Sequence, residues 1–491
     1  MFNNDRDQQA AAPPSASKGW GRRMVLPIFY VLMTLGAVAA FLVIQAVGSS
    51  LITTAGSDVR LPTPLEAPPP TNLLMHVLLA LAVIILTTRA VGAVFRFFHQ
   101  PSVIGEIIGG IFLGPSILGR ILPDFQAYLL PPDIAPTLGV VAQLGVILFM
   151  FLIGLELNLK ILRSSGQAML AISHVSIAFP FLLGASLALG IYERYATGTV
   201  GFTGFALFLG VAMAVTAFPV LARILTDRSL QKTRLGTMAI GVAAVDDVTA
   251  WCLLALVVSV VHAQMGSAFL TMGLTILFIA GILLLLRPLL IRVIPLLESR
   301  GRVSEGSIAF IFIAVLLSAL TTEYIGVHAI FGAFLLGSLI PHDSRIASEV
   351  THRLEDIVKV MLLPVFFAYT GMRTEFGLLN TTEDWLFCGL IILVATVGKF
   401  GGTFVTAKLA SLTTQEAATL GILMNTRGLV ELVVLNIGLD LGIISPRLFA
   451  MLVLMALITT FATTPVLDLL HRWHSWDMRG IAVPSESKHQ L

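Results

Sequence analysis

The stretch GVAAVDDVTAW, residues 241–251, places two adjacent aspartates, Asp246 and Asp247, inside an apolar segment. No other Asp, Glu, Lys or Arg occurs from Leu235 to Leu286. A long apolar segment predicts a membrane-spanning helix, which needs about 20 residues. An ionised carboxylate near the bilayer centre costs about 2.5–3.5 kcal/mol on insertion scales, so such residues generally serve a function. The acid pair is therefore the first candidate for a functional site.

The composition of the whole chain indicates a membrane protein. Of the 491 residues, 56% are hydrophobic and 12% are charged, and the mean hydropathy is +0.92. A soluble domain carries about 25% charged residues. The expected fold class is an all-α polytopic membrane protein with about fourteen transmembrane helices. The net charge of +2 gives no indication of a nucleic-acid partner, and no enzyme or cofactor motif occurs in a suitable context.

Apolar segments separated by charged, Pro-rich or Gly-rich loops give the predicted spans. These are 25–47, 72–97, 101–121, 137–158, 168–190, 201–225, 233–262, 268–296, 306–323, 326–341, 357–372, 385–408, 416–438 and 447–470. The spans 326–341 and 357–372 are short, which favours tilted, broken or re-entrant helices.

The predicted spans divide the chain into three parts. Residues 1–71 form a signal-anchor helix with a Pro-rich linker; a cleaved signal peptide is the alternative, although the apolar run is long for one. Residues 72–470 form the membrane domain, and residues 471–491 a short tail. Lys and Arg concentrate in alternate loops, which predicts cytoplasmic termini in a bacterial inner (plasma) membrane.

The chemistry of the acid pair suits an exchanger. Adjacent helical residues point about 100° apart, so Asp246 and Asp247 can face different surroundings. Two close carboxylates resist being ionised together, and one of them can then exchange a proton. An ionised carboxylate also binds a hard cation. One site can thus hold either a proton or a metal cation, whereas the alternative is a polar pair that only packs helices.

Lys399 is the only charged residue between Asp384 and Lys408, and it lies in the middle of a predicted span. A buried ammonium group requires a partner of opposite charge, and the aspartate pair is the obvious one. We therefore expect an ion pair between Lys399 and one aspartate. The alternative is an unrelated lysine that is solvated locally.

Two other spans contain polar residues that favour broken helices. The first, VTAFPVLAR, contains Thr216 and Pro219. Proline removes a helical hydrogen bond, although a simple kink is the alternative. The second, MNTRGLVEL, contains Asn425, Thr426, Arg427 and Glu431; here a self-contained i,i+4 ion pair is the alternative.

The order of these features predicts an inverted repeat. The spans 168–190, 201–225 and 233–262 form one triplet, with the broken helix in the middle and the aspartates on the third. The spans 385–408, 416–438 and 447–470 form another, with the broken helix in the middle and Lys399 on the first. The two triplets enter the membrane from opposite sides. Paired discontinuous helices that cross near the bilayer centre are typical of secondary transporters.

Eight strings in the chain form a set: PSVIGEIIGGIFLGPS, FMFLIGLELN, TAFPVLARIL, AVDDVTAW, GAFLLGSLIP, LLPVFFAYTGMRT, VGKFGGT and MNTRGLVELVVLNIGL. Together they resemble the monovalent cation/proton antiporter superfamily, in the branch with Kef-like proteins, sodium/proton antiporters and plant cation/proton exchangers. They occur in the family's order and cover about residues 72–470.

The resemblance implies a thirteen-helix antiporter unit that forms a homodimer in the bilayer. It also implies elevator-like movement of a core domain, about residues 168–262 and 385–470, against a scaffold. Asp247 would carry Na+ or K+ and the proton, and Asp246 would pair with Lys399. Thr216 and Asn425 would lie where the two unwound segments cross, and Thr216 and Asp246 would contribute with Asp247 to the cation- and proton-binding site. No cofactor is implied beyond the transported ions.

The chain departs from Kef-like proteins in three ways. It carries an additional helix at 25–47, it has an Asp-Asp pair where those proteins have Gln-Asp, and it is expected to lack their cytoplasmic nucleotide-sensing domain. The second acid favours sodium/proton exchange, with a role in cation and pH homeostasis, and the expected lack of the domain argues against ligand-gated efflux. K+/H+ exchange or Kef-like K+ efflux is the alternative. An aspartyl protease needs its two acids on separate helices. A channel would favour a ring of like charges, and a sodium-coupled symporter has less need of a buried Asp–Lys pair.

Overall fold

The computed structural model describes residues 20–51, 73–98, 100–156, 167–198, 200–228, 230, 233–262, 268–298, 304–341 and 343–473. Most of the Pro-rich linker, the loop with Lys160 and Arg163, and most of the predicted tail lie outside the described residues.

The described residues are almost entirely helical. In chain order the helices are α1 (Trp20–Gly48), α2 (Leu73–Phe97), α3 (Ser102–Leu113), α4 (Leu118–Ile121), α5 (Pro123–Leu129), α6 (Ala135–Glu156), α7 (Gln167–Tyr195), α8 (Phe202–Ala214), α9 (Phe218–Asp227), α10 (Arg234–His262), α11 (Ala268–Gly281), α12 (Arg287–Glu298), α13 (Glu305–Ile325), α14 (Ala329–Leu339), α15 (Arg345–Ile357), α16 (Leu363–Met372), α17 (Thr382–Thr396), α18 (Gly402–Leu409), α19 (Thr414–Met424), α20 (Leu429–Asp440) and α21 (Pro446–Trp473). Three π-helical turns, Ile282–Leu286, Val358–Leu362 and Val397–Gly401, join α11 to α12, α15 to α16 and α17 to α18.

Nine helical segments in the described part are long and apolar enough to cross a membrane, and the bent pair α19–α20 raises this to ten. The predicted total of fourteen also counted short helices such as α14, whose 11 residues are fewer than a straight span requires. Ala196 and Ile444 form an isolated antiparallel β-bridge. The all-α polytopic prediction is confirmed.

Several predicted spans have different limits in the structure. The span predicted at 357–372 belongs to a longer helical stretch that starts at Arg345 and passes through the π-helical turn Val358–Leu362. The α15 sequence carries many charged residues, so hydropathy does not detect it. The spans 201–225 and 416–438 are each divided into two helices, as the polar residues within them predicted.

Local sequence signals fix several helix starts. Thr381 and Asp384 form a capping box at the start of α17, with each side chain accepting a hydrogen bond from the other residue's backbone N–H. Thr413 and Glu416 do the same at α19. These side chains satisfy N–H groups that have no partner within the helix.

The helices pack as two groups. The core group consists of α7–α10 and α17–α21, and α1 packs on its surface against α7 and α8. The scaffold group consists of α2, α3, α6 and α13–α16. Within the scaffold, Gly371 of α16 lies directly against the backbone of Gly110 in α3, where a side chain would not fit. The candidate site lies inside the core group.

Candidate functional site

The first broken helix separates α8 from α9. The backbone is extended at Val215 and turns at Ala217, so the helix stops after Ala214 and resumes at Phe218. Pro219 lies in the first turn of α9, where its missing N–H would have no intrahelical partner. The proline therefore starts the second half-helix, α9. The sequence suggested that a hydrogen bond lost at Pro219 breaks the span, but this loss is not what ends α8.

The second broken helix separates α19 from α20, which are inclined at 43°. The break covers residues 425–428 and crosses the first one, since the N–H of Ala217 donates to the carbonyl of Thr426 over 3.0 Å. Thr460 of α21 also forms hydrogen bonds with this unwound backbone. Its hydroxyl accepts from the N–H of Arg427 at 2.9 Å and donates to the Arg427 carbonyl at 2.7 Å. Irregular backbone inside a membrane protein needs such internal partners.

Asp246 lies on α10 beside this crossing and accepts four hydrogen bonds. Ser173 donates to its Oδ1 at 2.6 Å, and Ser176 donates to its Oδ2 at 2.8 Å. Thr216 and Lys399 also donate to Oδ2, at 3.1 and 3.0 Å. The carboxylate is fully buried, so this set of donors replaces the water that it has lost.

Lys399 reaches Asp246 from a π-helical turn. Residues Val397–Gly401 form this turn between α17 and α18, and the Lys399 side chain is fully buried. Its Nζ also lies 3.2 Å from the hydroxyl of Ser176, which therefore contacts both members of the ion pair. Single π-helical turns occur frequently at functional sites. The pairing expected of Lys399 is present in the geometry, with Asp246 as the partner.

Asp247 has surroundings of a different kind. It is 2% exposed, and neither of its carboxylate oxygens has a hydrogen-bond partner among the described residues. The backbone N–H of Phe218, at the start of α9, interacts electrostatically with the carboxylate, although it forms no hydrogen bond with either oxygen. The positive end of the α9 dipole thus favours an anion here without occupying its oxygens. Asp247 keeps its acceptor capacity for another ligand.

Thr216 and Asn425 lie at the crossing of the two breaks. The Thr216 hydroxyl donates to Asp246, and Asp247 accepts no hydrogen bond from it. Asn425 ends α19 and is buried, and its side-chain oxygen is unpartnered in the described part of the chain. Thr426 donates to the carbonyl of Leu423 and so supports the break.

Arg427 joins the two broken helices. It is fully buried and donates to the carbonyls of Ala212 and Met213 at the end of α8, at 2.6 and 2.7 Å. It also pairs with Glu431 one turn along α20, at 2.8 Å. A cation is favourable at a helix C-terminus. The Arg427–Glu431 pair is therefore not self-contained, because the same guanidinium holds the other broken helix.

Charge balance distinguishes Asp247 from the other four buried ionisable groups here. Lys399 balances Asp246, and Arg427 balances Glu431. Asp247 is left without a counterion in direct contact. A proton or a monovalent cation on Asp247 would make the set neutral. Unpartnered oxygen acceptors fit a small hard cation, and no cluster of three or more metal-binding side chains occurs in the described residues.

Ser173, Ser176 and Thr460 were not among the residues predicted from the sequence. Each is a hydroxyl residue inside a long apolar helix. The spacing of the two serines, three residues apart on α7, puts both on one helix face and is the only signal that could have found them. On its own that spacing is too common to identify a site.

Comparison with known proteins identifies the family. A model of the sodium/hydrogen exchanger transmembrane family matches residues 69–470. The chain belongs to this family. Residues that span most of the chain also align with the Na+/H+ antiporter NhaS4 of Synechocystis sp., at 44% identity over 81% of this chain and 97% of that protein.

Two other relatives and one solved structure are also similar to this chain. It is 39% identical to cation/H+ antiporter 20 of Arabidopsis thaliana and 38% identical to K+/H+ antiporter 1 of Saccharomyces cerevisiae. The chain spans about half the length of these two, 48% and 47%. The sodium/proton antiporter MjNhaP1 of Methanocaldococcus jannaschii has the same fold, with a TM-score of 0.53, 13% identity and coverage of 82% of this chain and 97% of that one.

Proposed function

We propose that this protein is a secondary transporter that exchanges Na+ for protons, with Asp247 as the carrier of both. The observation that carries the proposal is the unequal state of two adjacent buried acids. Asp246 is saturated with hydrogen bonds and paired with Lys399, while both oxygens of Asp247 are unpartnered in the described structure. A group of this kind can accept a proton or a cation, but not both, which is the requirement for exchange.

The surrounding residues have supporting roles in this mechanism. Ser173, Ser176 and Lys399 hold the Asp246 side chain in place beside Asp247. Arg427 and Thr460 hold the unwound segments in place around the site. An empty, charged Asp247 is costly inside the protein, because its burial and its neighbour both oppose the charge. Loading with either ion removes that cost and favours movement of the core.

We infer that transport proceeds by elevator-like movement of the core group against the scaffold group. Support comes from the packing of the helices into two groups, with every member of the candidate site in the first. The proposed setting is a homodimer in a bacterial inner membrane. In the sequence, Arg228 and Arg234 flank the connection between α9 and α10, and Arg345 and Arg353 lie in α15. This concentration of arginines in alternate connections supports a cytoplasmic location for them. The proposed domain division is 1–71, 72–470 and 471–491.

K+/H+ exchange is the second candidate, and a specific observation favours it. The K+/H+ antiporter of S. cerevisiae is 38% identical to this chain, so a sequence of this kind is compatible with K+. Selection between the two ions depends on cavity size and on the number and stiffness of the oxygen ligands, by analogy with Ca2+ and Mg2+. Comparing Na+, K+ and Li+ in one assay decides between them.

The test is cation-driven proton movement in liposomes. Purified protein is reconstituted into vesicles that contain a pH-sensitive dye, and Na+, K+ or Li+ is added outside. We expect external Na+ to raise the internal pH as protons leave in exchange. Asp247→Asn, which keeps the shape but cannot release a proton, should abolish the response.

Glu383→Gln provides the matched control, because it also converts an acid to an amide. Glu383 lies at the exposed start of α17 and pairs with Arg194, away from the crossing. It should exchange like the wild type. A full response from Asp247→Asn would show that the carrier is another residue, and an absence of response from the wild type to every cation would overturn the proposed function.

A further inference from the structure

A polar contact bridges the scaffold and core groups at one end of the bundle. Arg373 follows α16 of the scaffold and donates to two residues of α20 in the core, Asn436 at 3.0 Å and Asp440 at 2.5 Å. Asn436 in turn donates to the hydroxyl of Thr370 on α16 at 2.8 Å. Tyr369 supports the guanidinium, which lies 5.3 Å from the centre of its ring. Three hydrogen bonds thus join one scaffold helix to one half of a broken core helix.

This bridge differs from the ion pairs inside the core. Lys399–Asp246 and Arg427–Glu431 are fully buried, whereas the Arg373 and Asp440 side chains are 23% and 44% exposed. Asp440 and Tyr369 also line a cavity of about 430 Å³ between the two groups, together with Glu323 and His328. Water can replace each partner when an exposed pair separates, so such a pair is broken and remade at little cost. A buried pair has no such replacement.

We propose that Arg373 is a positioning residue that holds α20 against α16 in this conformation and releases it once in every transport cycle. The inference rests on the proposed movement of the core past the scaffold. If the two groups slide, contacts between Arg373 and α20 cannot persist, and the Arg427–α8 contacts within the core can. Arg373 would therefore act on the equilibrium between conformations without touching the transported ion.

A reversible cross-link tests whether the contact must part. Thr370→Cys and Asn436→Cys are combined in a protein in which Cys252 and Cys388 are replaced by serine, and the thiols are joined by oxidation or by a short bis-thiol reagent. We expect cross-linked protein to lose cation-driven proton movement and reductant to restore it after oxidation. Full exchange by protein that mass spectrometry shows to be cross-linked would overturn the proposal.

The matched control is a cross-link within the core group. Ala196 and Ile444 face each other in the isolated bridge between the end of α7 and the segment before α21. Cysteines at these positions join two parts that move together, so the cross-linked protein should keep its exchange activity. The comparison separates a blocked movement from general damage by the cross-link.

A second measurement reports on Arg373 without depending on transport. Hydrogen–deuterium exchange of the peptide that contains residues 433–440 should become faster in Arg373→Ala, because α20 loses its bonds to α16. Arg373→Lys, with one donor group in place of a fork, should fall between that variant and the wild type. Arg447→Ala is the control, since Arg447 lies on α21 and its partner Asp384 belongs to the same group.

The two measurements keep the failures distinct. If the wild type moves no protons in response to any cation, the proposed function fails, and the hydrogen-exchange comparison still tests the contact. Unchanged exchange rates of the α20 peptide in Arg373→Ala would overturn the holding role of Arg373. In active protein, we expect Arg373→Ala to change the maximal rate, because the equilibrium between the two conformations shifts.

Discussion

Asp246 and Asp247 are adjacent in the sequence, yet the first accepts four hydrogen bonds and the second accepts none from the residues that the structure describes. The difference arises because neighbouring side chains on α10 point to different elements. One faces α7 and the π-helical turn with Lys399, and the other faces the start of α9. The same substitution at the two positions should therefore have opposite effects.

Asp246→Asn should destabilise the protein, and Asp247→Asn should not. The first leaves Lys399 buried without its counterion, which typically costs about 3–5 kcal/mol. The second removes an unpaired buried charge and should leave stability equal or higher. Thermal unfolding of both variants in the same detergent and at the same pH checks this. Equal losses for the two variants would contradict the separate roles.

Sodium should stabilise the wild type through Asp247. A ligand that binds only the folded state at about 100 times its dissociation constant adds about 2.7 kcal/mol. The unfolding temperature in detergent should rise with NaCl and not with choline chloride at equal ionic strength. Asp247→Asn should lose the difference between the two salts. A salt-specific rise that persists in this variant would place the cation elsewhere.

Lys399→Ala should remove net charge movement or lower the effective working pH. In the wild type, Lys399 can release Asp246 and contribute one of the exchanged protons. The variant lacks that proton. A potential-sensitive dye in proteoliposomes compares this variant with Lys408→Ala, which alters a partly exposed residue in the last turn of α18. Net charge movement equal to that of the wild type would exclude Lys399 from the proton count.

Arg427→Met should cost more stability than Glu431→Gln. The methionine leaves Glu431 buried without a partner and frees the carbonyls of Ala212 and Met213. We expect a loss of about 3–5 kcal/mol. In Glu431→Gln the guanidinium keeps the glutamine amide oxygen and the carbonyls of Ala212 and Met213 as acceptors, so the loss should be smaller. Combining Arg427→Met with Glu431→Met should restore part of the stability. It should not restore transport, because α8 and α20 remain unlinked. Chemical denaturation and the liposome assay measure the two effects separately.

The sequence was sufficient to predict the helical membrane fold, the two broken helices and the pairing of Lys399 with one aspartate. A charged lysine and a charged acid in the middle of the membrane are each costly unless they pair, so the prediction follows from the cost of burying charge. The break at α8–α9 was predicted for an incomplete reason, since Pro219 begins a helix and does not itself end one.

The serines around Asp246 could not be predicted, for a physical reason. A serine in a membrane helix commonly donates to the carbonyl four residues earlier, as Ser186 and Ser259 do here. Ser173 and Ser176 differ only because α10 brings a carboxylate within reach. The position of Thr216 likewise depends on which side of the crossing its rotamer faces. These contacts depend on tertiary packing, which a single sequence does not reveal.

The attachment of α1 has a consequence for the lipid. The helix packs on the core group, with Phe41 against Phe181 at 6.0 Å between ring centres and Gly48 against Phe202. Its opposite face, including Leu35 and Leu42, is exposed and apolar. In the proposed elevator-like movement, α1 would shift together with the core group, and its apolar face would change position relative to the hydrocarbon layer. Bilayer thickness would then enter the energy of each conformation, so we expect the transport rate to depend on lipid chain length.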